Sequence, residues 1–155
     1  MKPGQAVEIQ LVDDRGKPVR LRNVVPEIRL FTSAGGPPRY NFDGWPTDES
    51  GRSVNTFADL EEERVMLGLG DLMDYNTPLT DCAQEVEVAI PTGADFENRK
   101  ARLSQRLSRW RPAWLSDWPA NGCLAPVQPR RVRLDGAVTR LEIPVSLPTD
   151  DSERP

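Results

Sequence analysis

Three of the four tryptophans stand at positions 110, 114 and 118, about one helical turn apart. Arg109 and Arg111 are interleaved with them, and Arg130 and Arg131 follow. Flat π-faces beside guanidinium groups can stack on sugar rings, on nucleic-acid bases or on a proline-rich segment of a partner. Tryptophan and arginine are also the residues that dominate protein–protein hot spots, so another protein leads as the expected partner and a carbohydrate is the alternative. The same residues can equally pin a helix to a sheet, with arginine stems lying along the apolar rim and their heads in water. At the level of sequence both uses of the Trp110, Trp114, Trp118 group remain open.

Other chemistries have less to work with. The chain has no histidine, which excludes Ser-His-Asp and Cys-His catalysis, histidine metal sites and histidine pH switching within it. Its two cysteines, Cys82 and Cys123, are too few for a disulfide scaffold or a zinc cage. Asp13, Asp14, Asp43, Asp48 and Glu49 lie among turn-forming residues where oxygen ligands for calcium can gather, but no loop has the EF-hand spacing. Their expected work is turn formation. A carboxylate pair for glycoside hydrolysis has no sequence signature of its own. No catalytic residue, cofactor or metal is expected.

The net charge of −4 conceals a segregation. Residues 1–93 carry 9 basic and 16 acidic side chains, and residues 94–140 carry 10 and 4. Such asymmetry points to a polarised surface or to internal complementarity. Nucleic acid is not the expected partner, because the chain as a whole is acidic and no recognisable nucleic-acid module accompanies the basic stretch.

The elements that must position these residues read mainly as strands. Fifteen prolines and 11 glycines in 155 residues favour short strands and turns over long helices. Val7, Ile9 and Leu11 alternate with Glu8 and Gln10, the period of a half-buried strand, and Asp13-Asp14-Arg15-Gly16 ends it before Lys17-Pro18-Val19 resumes an extended path. Further strands are expected over 24–32, with Pro26 marking an edge or a bulge, and over 39–45, 52–57, 82–90, 130–134 and 138–147, with Pro144 at an edge or a strand end. Asp135-Gly136 between the last two signals a hairpin. Residues 58–81 admit a strand pair, a short helix or an excursion. One helix is expected over about 94–111, where Phe96, Leu103, Leu107 and Trp110 share a face; Thr92 or Asp95 would cap it and Pro112 would stop it. The resulting expectation is a mainly β protein, an antiparallel sandwich of about seven or eight strands with one inserted amphipathic helix. Residues 1–147 would form a single domain with the helical insertion at 94–118, and 148–155 a disordered tail.

The stretch LVDDRGKPV, an aromatic strand after it, and then GWPTDESGR resemble the opening of transthyretin-like (prealbumin-like, carboxypeptidase-regulatory-like) β-sandwich domains. The likeness covers about a third of the chain and rests on turn residues. It implies a sandwich used to present loops or to bridge partners, and domains of this kind also decorate the spikes of contractile injection machines. The enzymes of related shape depend on histidines, so the resemblance carries no catalysis here. The expected function is a non-enzymatic adaptor or structural module contacting a protein through Trp110, Trp114, Trp118, Arg109, Arg111, Arg130 and Arg131. No run of about 18 apolar residues exists, so no membrane span is expected. MKPGQAVEIQ lacks the apolar heart of a secretory signal, which makes the cytoplasm the expected location, with a non-classical route if the protein is exported.

Overall fold

Period-two alternation does become strand wherever one face meets the core. The computed structural model describes residues 1–32, 35–70, 77–96 and 120–146. Within them lie β1 (Ala6–Val12), β2 (Glu27–Thr32), β3 (Pro38–Asp43), β4 (Arg52–Thr56), α1 (Phe57–Gly70), β5 (Cys82–Ala89), β6 (Arg130–Arg133) and β7 (Val138–Pro144). They form a three-stranded sheet in the order β4-β1-β7 and a four-stranded sheet in the order β3-β2-β5-β6. Val7, Ile9, Leu11, Leu141 and Ile143 from the first sheet join Ile28, Leu30, Tyr40, Phe42, Val86 and Val88 from the second in one buried cluster. The molecule is thus mainly β, two sheets packed over a shared apolar layer. Each of those side chains contributes about 1.5–3 kcal/mol by leaving water.

Four features differ from the sequence expectation. First, Asp135-Gly136 does turn the chain, but β6 pairs with β5 while β7 pairs with β1, so the turn carries the chain from one sheet to the other. A turn signal specifies reversal of direction and leaves the choice of neighbour to whichever edge is open. Second, β7 runs parallel to β1, Ala6 opposite Val138 through Val12 opposite Pro144, so one of the sandwich's pairings is not antiparallel. Third, Pro26 lies just before β2, an interior strand of its sheet, and marks neither an edge nor a bulge; its carbonyl instead accepts the Gly44 N–H at 2.8 Å. Pro144, by contrast, ends the edge strand β7.

The fourth is α1, in the stretch the sequence left ambiguous. Its start is a capping box: the Asp59 N–H donates to Thr56 Oγ1 at 3.1 Å and the Thr56 N–H to Asp59 Oδ2 at 3.4 Å. Leu60, Glu63 and Leu67 share its buried face, and Glu63 Oε1 accepts the Asp43 N–H at 3.4 Å. The T-x-x-D spacing was legible; Gly68, Gly70 and the acidic run obscured it. Of the expected helix over 94–111, residues 93–96 are helical, with the Phe96 N–H on the Thr92 carbonyl. Residues 97–111 lie outside the described residues, as does the expected tail 148–155. No helix among the described residues is long and apolar enough to cross a membrane.

The two aspartate turns are copies of one device. In Asp13–Lys17 and Asp48–Arg52, the glycine N–H bonds the aspartate carbonyl three residues back, and the aspartate N–H bonds the carbonyl of the following base. Asp13 Oδ1 takes the amides of Arg15 and Lys17, and Asp48 Oδ1 those of Ser50 and Arg52. Gly16 and Gly51 occupy the left-handed position, with φ of +81° and +79°. This is a three-residue loop of type I turn plus bulge. The Ser50 hydroxyl bond holds the Asp48 carboxyl below the usual carboxylate value, with the Arg52 and Ser50 amides assisting. A depressed folded pKa stabilises above the unfolded value, and that contribution disappears as pH falls through the folded one. Wild-type protein should therefore lose a small increment of stability below about pH 4 that Asp48→Asn does not lose, read from urea midpoints across the acid range; parallel midpoint curves would refute it.

Candidate functional site: the base of the tryptophan-bearing insertion

β5 and β6 are antiparallel neighbours, yet 40 residues (90–129) separate them in sequence. That insertion contains Trp110, Trp114, Trp118, Arg109 and Arg111, all of which lie outside the described residues. What the structure describes is the base from which the sandwich holds them.

The base is built around one amide. Asn121, fully buried in a 3-10 turn (Ala120–Cys123), accepts the Val25 N–H on Oδ1 at 2.8 Å. Its Nδ2 donates to the Val25 carbonyl at 2.9 Å and to the Pro91 carbonyl at 3.0 Å. Both of its N–H donors and its carbonyl oxygen are thereby engaged. One residue thereby ties the outgoing end of the insertion (Pro91) to its returning end (Asn121) and both to the segment before β2. Asn23 completes the clamp. It sits at φ +65°, a conformation asparagine tolerates, its N–H bonded to the Thr47 carbonyl and its carbonyl to the Ala120 N–H at 2.7 Å. On the outgoing side Phe96 is 2% exposed.

Arg130 and Arg131, the two expected contact residues that are described, are already engaged. Arg130 Nη1 donates to the Glu142 carbonyl at 2.8 Å. Arg131 Nε meets Glu85 Oε1 at 3.1 Å, and its guanidinium carbon lies 3.8 Å from the Phe31 ring centroid. The neighbouring Arg29 bridges Glu27 and Glu87 at 2.7 and 2.6 Å. Burial alone would lower the Arg29 pKa, and the bonds to Glu87 and Glu27 outweigh it and raise it. Part of the charge segregation is thus internal complementarity: a ladder of acid and base across β2, β5 and β6. The fourth tryptophan, Trp45, is half-buried and donates Nε1–H to Asp59 Oδ2 at 3.0 Å, which ties the segment after β3 to the cap of α1.

The remaining chemistry-bearing side chains are structural in their surroundings. Both cysteines are free thiols. Cys82 is buried, its Sγ 3.8 Å from the Pro78 carbonyl, and desolvation pushes its pKa up, away from the reactive thiolate. Cys123 is exposed. Among the described residues no three of Asp, Glu and Cys converge as a cation would require.

Asn121 and Asn23 were missed by sequence reasoning. Asn121 lies between the expected helical insertion at 94–118 and the strand expected over 130–134, and its partners are 30 and 96 residues away, a relation no local pattern encodes. No family model, curated protein or solved structure matches this chain.

Proposed function

We propose that this protein is a non-enzymatic interaction module in which a transthyretin-like sandwich is the scaffold and the insertion between β5 and β6 is the contact element. The observation that carries the reading is the Asn121 clamp. A fully buried amide with both donors and its oxygen engaged in joining the two ends of one insertion is what a fold needs to present that insertion from a rigid base. The composition of the presented stretch agrees. Residues 97–119 carry six basic and two acidic side chains with three tryptophans, which suits a protein partner with an acidic, groove-bearing face. The likeness to transthyretin-like domains rests on the paired Asp-x-x-Gly turns, and together with the two-sheet core it supports an adaptor role, in a larger assembly such as a contractile injection machine.

The test is affinity capture from the native host, quantified by mass spectrometry, with wild type against the Trp114→Ala/Trp118→Ala double variant. Capture should fall at least about tenfold, because two aromatic anchors are each worth about 2 kcal/mol or more, while the melting temperature stays within about 2 °C of wild type. Loss of the cooperative melt would mean the rings are core and would remove the contact reading. Titration with sugars separates the carbohydrate alternative: a protein-directed module gives no saturable change in tryptophan fluorescence.

A further inference from the structure

Among the described residues, β6 is an edge strand with one side unpaired. The Leu134 N–H bonds the Gln84 carbonyl, so backbone alternation turns Arg130, Val132 and Leu134 toward β5 and directs the N–H and C=O groups of Arg131 and Arg133 away from the sheet. No described strand pairs with that side. The neighbouring edge, β7, is different. Its far end is closed by the Ala125 N–H on the Ser146 carbonyl, by Arg130 on the Glu142 carbonyl and by Pro144, which has no N–H to offer.

The side chains of β6 say what can lie beside it. Three of its four residues are arginine, and a second copy pairing edge to edge would set arginine against arginine. The strand that does neighbour β6 shows the compatible pattern. In β5, Glu85-Val86-Glu87 places one carboxylate opposite Arg133, one opposite Arg131, and Val86 opposite Val132. We infer that the outer edge of β6 docks an extended acidic segment of another polypeptide, of the form acid–apolar–acid, by strand addition. The new strand takes its main-chain bonds from Arg131 and Arg133. It sets its carboxylates beside their guanidinium groups on the outer sheet face and lays its apolar residue beside the half-buried Val132. The proposal does not rest on the tryptophan insertion.

The probe is a capped, fluorescein-labelled peptide with the sequence Gln-Glu-Val-Glu-Val-Ala, copied from Gln84–Ala89, titrated onto the full chain by fluorescence anisotropy. Saturable binding that weakens with salt is expected, with at least about a tenfold loss for Arg133→Glu and no change for Trp114→Ala/Trp118→Ala. Arg133→Pro removes the guanidinium and an N–H that points out of the sheet while sparing the bonds to β5, so it should abolish binding while the thermal melt persists. Should that variant unfold, Arg133→Glu and a peptide with both glutamates replaced by lysine decide the matter. Amide NMR shifts should centre on Arg131 and Arg133. Equal binding of the lysine peptide, absence of saturation, or shifts centred on Val86 and Val132 (displacement of β5 by the peptide) would each overturn the proposal.

Discussion

Gly51→Ala should cost about 3–5 kcal/mol of folding stability, whereas Gly16→Ala, in the same turn with the same backbone, should cost about 1–2 kcal/mol. Both glycines sit at positive φ, so an L-residue carries the same intrinsic strain at either. They differ in what a side chain would meet. A Cβ on Gly16 has nothing within 4 Å, while a Cβ on Gly51 would lie 1.9 Å from the Val19 carbonyl oxygen and 3.1 Å from its carbon. That obstacle is backbone, and it is held. The Leu11 N–H bonds the Gly51 carbonyl and the Leu11 carbonyl accepts the Val19 N–H, so the three chains are locked across fully buried Leu11. Relief requires breaking one of those bonds inside the core, which is the origin of the extra cost. Urea unfolding of the two variants measures it directly. Equal losses at the two positions would mean the Val19 segment yields freely and the interlocking is not rigid.

Asn121→Ala should cost about 3–5 kcal/mol and loosen the insertion it clamps. It would orphan the Val25 N–H, the Val25 carbonyl and the Pro91 carbonyl, groups buried away from water, at about 1–3 kcal/mol each before relaxation. Asn121→Asp is the sharper variant. It keeps the acceptor for Val25 and replaces the amide donor with an oxygen facing two carbonyls. Burial and those lone pairs favour the protonated acid, so its folded pKa rises above the unfolded value of about 4. The variant is then most stable at low pH and loses stability as pH climbs from the unfolded toward the folded pKa, the opposite of Asp48 in the wild type. Urea midpoints across pH 3–8 would show it. A flat profile, or an alanine variant as stable as wild type, would mean water replaces the amide and that the clamp is dispensable. If the insertion is the contact element, partner capture should fall in both variants at temperatures where they remain folded.

Short-range chemistry accounts for what the sequence determined by itself. The alternation of Val7, Ile9 and Leu11, of Val86 and Val88, and of Leu141 and Ile143 set three of the seven strands, because a half-buried strand must alternate. The Asp13 and Asp48 turns followed from carboxylates that bond amides two and four residues ahead and glycines that accept positive φ. The cap of α1 was equally local, in Thr56 and Asp59, though glycines and charge masked it. Tertiary structure alone decided the rest. Nothing within Arg130–Pro144 says that β6 joins one sheet and β7 the other, or that β7 runs parallel to β1, since each strand takes whichever edge its apolar face and connection length leave open. The same holds for the candidate site. Trp110, Trp114 and Trp118 drew attention by type and spacing, yet the residue that joins the two described ends of the insertion containing them is Asn121. It was invisible because its hydrogen bonds exist only once Val25, Pro91 and residue 121 have been brought together by the packing of both sheets.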